Sequence, residues 1–294
     1  MAEARTLARV RNRVERLRQR RWRMRHYRSS EEHVVMGGAP RSGTTVLRKM
    51  FDRHPVICCG AETKVFVPAA FNLAWLATSY DIPLADLQAM RAAATSQGAF
   101  IDAFATRVRA GSGKARWAEK TPQNIRNLDW ILERFPQASV VHIIRDGRDV
   151  VCSMRQHPDW RWVDGSWQKV LVPRSIEWYA RRWLGDTAAG MAWRRDPRYV
   201  EVRYEDLVAD PEGVLRTICD GIGVAPEAAW LAQVSRTAGD ATDGVSGSAA
   251  GRPDYEGAVS SASVGRWRED LSADEQQVVE RLCGPRLREL GYEV

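Results

Sequence analysis

A chain of 294 residues, 44% hydrophobic and 28% charged, has ordinary globular composition and room for one large α/β domain, or one domain with an insertion. No apolar run approaches the roughly 20 residues of a membrane span, and the N-terminus lacks an apolar signal core, so the expectation is a soluble, cytoplasmic protein. The net charge of +7 is uneven: residues 1–30 hold eleven arginines against Glu3 and Glu15, about +9, which leaves about −2 for the rest.

Residues 1–28 contain no Pro or Gly, and Leu7, Val10, Val14, Leu17 and Met24 recur at spacings that make one stripe of a helix. A basic amphipathic helix over residues 1–30 follows. It is docked on the body, or it meets a membrane surface, a partner helix or nucleic acid. Residues 31–294 are read as a single domain. Val34–Gly37 is a buried strand, and Thr44–Arg53 a helix ended by His54-Pro55. "VICC" (Val56–Cys59) is a short strand. Residues 66–116 are mostly helical, with breaks at Pro83 and Gly98, and are assigned as an acceptor-side insertion. Ala115–Glu119 is a strand. Thr121 and Pro122 then open a helix running through Ile125, Leu128, Leu132 and Phe135. "SVVHII" (Ser139–Ile144) is the clearest buried strand, "DGRDVVCSM" a loop entering a helix, and "YVEV" (Tyr199–Val202) a further strand. Strands alternating with helices predict an α/β, phosphate-loop-like three-layer fold, a central parallel sheet flanked by helices. Residues 239–264, rich in Gly, Ser and Ala, are a lid or linker, and Ser272–Glu275 is a capping box opening a C-terminal helix.

Two stretches carry chemistry. In Gly38-Ala-Pro-Arg-Ser-Gly43-Thr44-Thr45, a strand turns into a helix through a loop whose N–H groups converge on an anion. It matches the phosphate-loop pattern except at the lysine, where Thr44 stands, and that argues against a triphosphate. Arg41 supplies a planar cation instead. In "IIRDGRDVVCSM", Arg145 ends the best strand, where a nucleotide triphosphatase often has an acidic Mg²⁺ ligand, and Ser153 follows eight residues later. That arrangement suits a second anion. The five cysteines show no metal-site spacing, and no metal is expected.

Together these stretches resemble the donor-binding motifs of sulfotransferases that use 3′-phosphoadenosine 5′-phosphosulfate, and above all the tyrosylprotein sulfotransferase branch. "PRSGTTVLRKMFDRHPVICCGAETK" follows that branch's first motif almost throughout. "EKTP", "RDGRDVVCSM" and "VRYEDLVADP" resemble three later segments, so the likeness covers roughly Val34–Gly223. It implies that Arg41, Ser42, Gly43, Thr44 and Thr45 hold the 5′-phosphosulfate, that Arg145 and Ser153 hold the 3′-phosphate, and that Tyr204 lies near the nucleotide. It implies Glu62, in "CGAET", as the general base. Lys120 and Arg41 would neutralise charge on the transferred group and its leaving oxygen. One departure stands out: the branch's A-L-S-x-W segment is "SVGRW" here, with Gly265 at the serine position and Ser261 or Ser263 as replacements.

The reading is therefore a sulfotransferase that moves a sulfuryl group from this donor to a phenol or peptidyl tyrosine and leaves 3′-phosphoadenosine 5′-phosphate. A sugar, lipid or secondary-metabolite hydroxyl is the alternative acceptor, and a phosphate-loop kinase is the alternative from another class. A non-catalytic protein built on the basic helix is the remaining reading. Nucleic acid is not the expected partner, a homodimer is compatible, and residues 1–28 allow peripheral contact with a membrane. Several of the twelve tryptophans fall between Trp160 and Trp193, as core or lid packing or as the lining of an acceptor site.

Overall fold

The computed structural model describes residues 17–68, 72–163, 166–239 and 261–294. The expected lid falls largely outside them. The described residues begin with a helix over residues 17–24 (α1). Then come β1 (Val34–Gly37), α2 (Thr44–Asp52) and β2 (Ile57–Cys58). The predicted insertion is three helices, α3 (Leu73–Tyr80), α4 (Leu84–Ala93) and α5 (Gln97–Ser112). β3 (Arg116–Lys120), a 3-10 turn (Pro122–Arg126), α6 (Leu128–Arg134), β4 (Ser139–Ile144) and α7 (Gly147–Arg155) follow. An antiparallel pair, β5 (Asp159–Val163) and β6 (Ser166–Val170), leads to α8 (Ile176–Met191) and β7 (Tyr199–Arg203). The chain closes through α9 (Tyr204–Ala209), α10 (Pro211–Ile222), α11 (Ala228–Gly239), α12 (Trp267–Asp270) and α13 (Ala273–Glu289).

Five strands form one parallel sheet in the order β2-β3-β1-β4-β7. β1 and β4 are buried along their whole length because helices cover both faces of a parallel sheet. On one face Trp117, Phe66, Phe100, Phe104 and Phe135 pack under α5 and α6. On the other, Leu47, Phe51, Ile143, Leu215 and Ile218 pack under α2 and α10. The register pairs Met36 with Lys120 on one side and Gly37 with His142 on the other. All five strands therefore end at one edge, from which the loop after Gly37, the Glu62 loop, Lys120, Arg145 and Tyr204 all emerge.

Two local expectations differ. The helix predicted from Thr121 splits into a 3-10 turn and α6, because the Thr121 hydroxyl donates to Glu119 Oε1 (2.7 Å) instead of capping. Gly98 does not break a helix. It lies in the first turn of α5, capped by Ser96, where a Cβ would run into Tyr27. The β5–β6 pair was not read from the sequence at all.

The N-terminal helix is also turned differently from what its stripe suggests. Trp22 and Arg23 are buried, whereas Leu17 and Met24 are exposed. Trp22 joins the core, its indole N–H donating to Ala94 O (3.2 Å). Beyond it, Tyr27, Ser29 and His33 converge on the Asp102 carboxylate of α5 at 2.5, 2.6 and 2.7 Å. Burial of aromatic area under three polar contacts makes residues 22–33 part of the body's packing. Trp22→Ala should cost about 3 kcal/mol in chemical denaturation, while Leu17→Ala should stay within about 0.5 kcal/mol. The reverse ranking would mean that the stripe, not Trp22, is what docks.

Candidate active site

The loop between β1 and α2 owes its path to two glycines. Gly38 passes so close to β4 that a Cβ would collide with the Ile143 carbonyl. Gly43 takes φ 91° at the N-cap of α2, directly against the Tyr204 ring. Arg41 also sits in the left-handed region (φ 74°), uncommon for a non-glycine and the kind of strain that functional loops carry. No side chain caps α2, and its first turn contains no acidic residue. The Ser42 hydroxyl is fully buried and meets no hydrogen-bond partner among the described residues. A helix N-terminus with free N–H groups and an orphaned buried donor fits an anion such as a phosphate oxygen.

On the β3 side of this loop, Lys120 is buried at the strand end. Its Nζ meets Glu62 Oε1 at 2.6 Å and Thr45 Oγ1 at 3.4 Å. Glu62 is only half-buried, so its carboxylate remains reachable. Its loop is pinned through the backbone: Trp75 Nε1 donates to Glu62 O (2.7 Å) and the Tyr80 hydroxyl to Ala61 O (2.5 Å). The helical insertion thus positions the residue expected to act as base.

On the β4 side, the Arg145 guanidinium lies 4.8 Å over the Tyr204 ring and donates to the carbonyls of Arg41 (3.1 Å) and Ser263. Its Nε is buried without a partner among the described residues. Arg41 Nε donates to Ser153 Oγ at 3.0 Å. The two residues assigned to a 3′-phosphate, Arg145 and Ser153, are therefore brought together through Arg41. Arg41, expected on the 5′ side and in catalysis, meets Ser153 through its Nε. Lys120 is the cation beside Thr45. Ser263 Oγ and the Tyr204 hydroxyl lie 2.8 Å apart, and the Ser261 side chain lies outside the described residues. Gly265 takes φ 76°, and its N–H donates to Asp149 Oδ2 (2.8 Å), as does that of Trp267 to Oδ1 (3.0 Å). Asp149 thereby clamps the segment that had lost its serine. Burial raises its carboxyl, and these donors work against the rise. Trp183 is buried, with its indole N–H on Arg145 O (3.1 Å), and braces the site from beneath.

The residue that sequence reasoning missed is Glu119. It is buried one position before Lys120, and its carboxylate accepts from Thr63 N (3.1 Å), Thr63 Oγ1 (2.7 Å), Thr121 Oγ1 (2.7 Å) and Asn124 Nδ2. Asn124 Nδ2 also donates to Met36 O (3.1 Å). One carboxylate thus ties the residue after Glu62 to β3, to the 3-10 turn and, through Asn124, to β1. The available signal was alternation: in a strand Glu119 and Lys120 point to opposite faces, so a Glu there must be buried and satisfied.

Burial raises the Glu119 carboxyl above its ordinary value, and the four donors oppose that rise. A raised carboxyl binds its proton more tightly when folded, so its contribution to stability falls as pH rises through the raised value. Glu119→Ala should cost about 3 kcal/mol by stranding the donors. Any stability advantage of the native chain over Glu119→Gln should shrink as pH rises above the ordinary carboxyl range. A flat difference measured by denaturation across that range would contradict this.

Comparison with known proteins identifies the family. Residues 33–227 match the sequence model described as the sulfotransferase family. Protein-tyrosine sulfotransferase A of Caenorhabditis elegans is 26% identical over 209 residues, covering 67% of this chain and 51% of that protein. The protein-tyrosine sulfotransferase of Drosophila melanogaster is 32% identical over 198 residues, covering 63% and 36%. The chain thus spans about half or less of the length of these relatives. A mouse sulfotransferase solved in complex with PAP superimposes with a TM-score of 0.57 at 14% identity, over 89% of this chain and 86% of that one, and shares the fold. The matched region holds the glycine loop, Glu62, Lys120, Arg145 and Tyr204, and the chain belongs to the sulfotransferase family.

Proposed function

We propose that the protein transfers the sulfuryl group of 3′-phosphoadenosine 5′-phosphosulfate to the hydroxyl of a peptidyl tyrosine, with Glu62 as general base. The observation that carries the reading is the Glu62–Lys120–Thr45 group beside an anion-binding loop whose usual lysine is absent. A sulfuryl group carries less charge than a γ-phosphoryl, so fixed donors at the loop and a few cations suffice to stabilise it. The buried Ser42 hydroxyl, the α2 N-terminus and Thr45 suit the 5′-phosphosulfate. Arg145, with a spare Nε, together with Ser153 and Arg41, suits a separate phosphate. The flat Tyr204 ring beside Gly43 suits the nucleoside. A phenol is the favoured acceptor because protein-tyrosine sulfotransferases are among the relatives matched.

In the reaction, the phenolic oxygen attacks sulfur and its proton passes to Glu62. The bond from sulfur to the 5′-phosphate oxygen breaks, and 3′-phosphoadenosine 5′-phosphate leaves. A phenol ionises near pH 10, so at neutral pH it needs a base held in its charged form. The Lys120 ammonium, 2.6 Å from Oε1, holds the Glu62 side chain beside the loop. The same ammonium has a second task. As charge builds on the departing oxygen, it can shift from Glu62 toward that oxygen.

The test is transfer from labelled donor to a tyrosine peptide, a simple phenol and a glycan, with variants assayed on the best acceptor. Glu62→Gln should lower kcat by about 10² or more and leave the donor KM within about twofold. Arg145→Ala should instead raise the donor KM by about tenfold or more, the loss of a charge-assisted contact to phosphate. Turnover of Glu62→Gln within twofold of the native enzyme would remove Glu62 as the base. Transfer to the glycan alone would overturn the tyrosine assignment.

A further inference from the structure

We propose that the outward face of α1 docks on an anionic lipid bilayer and holds the protein peripherally at a membrane surface. The body fixes how this helix is rolled. Trp22 donates to Ala94 O at 3.2 Å, the Arg23 guanidinium lies 3.9 Å over the Trp130 ring, and Trp130 Nε1 donates to Arg23 O at 3.1 Å. At 3.6 residues per turn, Leu17 and Met24 lie within about 20° of one another, and Trp22 and Arg23 lie roughly 100–160° round from them, one to each side. Docking through Trp22 and Arg23 therefore turns Leu17 and Met24 away from the body, and they are 53% and 57% exposed. Arg18, Arg20 and Arg21, at the same helical spacing, fall on both sides of this strip and are exposed as well.

The chemistry selects the partner. The sequence upstream of the described residues repeats the same pattern, Leu7, Val10 and Val14 in the stripe among Arg5, Arg9, Arg11, Arg13 and Arg16. Residues 1–30 carry about +9, more than the whole chain's net charge of +7. An acidic peptide or a nucleic acid would engage the arginines and leave the Leu and Met side chains in water. A bilayer takes both: the apolar strip enters the headgroup–acyl boundary while guanidiniums reach lipid phosphates, each worth about a fivefold gain in binding. The surface is separate from the donor-binding loop, so this inference stands or falls apart from the choice of acceptor.

Co-sedimentation of the full chain with phosphatidylcholine vesicles, and with vesicles containing about one-third phosphatidylserine, tests it. Binding is expected to the anionic vesicles only and to fall at high salt. Leu17→Gln/Met24→Gln should weaken it by about tenfold while leaving the melting midpoint unchanged, since both side chains are already exposed. Arg18→Gln/Arg20→Gln/Arg21→Gln should weaken it and flatten its salt dependence. Equal binding to both vesicle types, unchanged binding of the Leu17/Met24 variant, or no vesicle binding alongside capture of polyglutamate or RNA would each overturn the proposal.

Discussion

The parallel pairing of β1 between β3 and β4 is the constraint on which the site depends. Because all three strands run the same way, their carboxyl ends meet at one edge, and so do the chain segments that leave them. The register pairing Met36 with Lys120 sets the ammonium beside the glycine loop, and the pairing of Gly37 with His142 brings Arg145 to its other side. A slip of one residue would turn Lys120 to the opposite face and expose Glu119 in its place. The close contacts at Gly38 and Gly43 act as stops on this register. Gly38 touches the β4 backbone and Gly43 touches the Tyr204 ring, so neither neighbour can move far without opening the loop.

Within that frame, charge is distributed rather than concentrated. A triphosphate loop places one lysine inside itself; here cations arrive from separate elements, Lys120 from β3, Arg145 from β4 and Arg41 from the loop. Each is held by a different partner, Glu62, the carbonyls of Arg41 and Ser263, and Ser153. Arg145 also lies 3.9 Å from the Asp149 carboxylate, whereas the carboxylate paired with Lys120 is Glu62, the proposed base. Beneath them, Glu119 holds its four donors out of solvent and fixes the spacing of the Glu62 loop and Lys120.

How much of this the sequence disclosed depends on the range of each interaction. Val34–Gly37 and Ser139–Ile144 were legible as strands because continuous apolar runs mark buried parallel strands, and the loop after Gly37 was legible from its glycines. The capping box at Ser272 was equally local. Arg145 and Ser153 could be read as a pair because one helix separates them by about two turns. Their partnership with Arg41 joins residues more than a hundred positions apart, and nothing local signals it. Glu119 was missed for the same reason: beside a lysine on a short strand it looks like an exposed charge until the threonines of two other segments close over it. The turn of α1 was misjudged because the stripe Leu17–Met24 has the better periodicity, while a single Trp22 carries the larger buried area.

The central claim is that two separate anion sites on this edge, one at the loop and one at Arg145 and Ser153, grip a nucleotide phosphorylated at both ends of its ribose. Calorimetric titration with 3′-phosphoadenosine 5′-phosphate and with adenosine 5′-phosphate, which differ by the 3′-phosphate alone, tests it most directly. The account predicts tighter binding of the bisphosphate by about tenfold to a hundredfold, the worth of a charge-assisted contact to a buried guanidinium. Equal affinity for the two nucleotides, or tighter binding of adenosine triphosphate than of the bisphosphate, would contradict it.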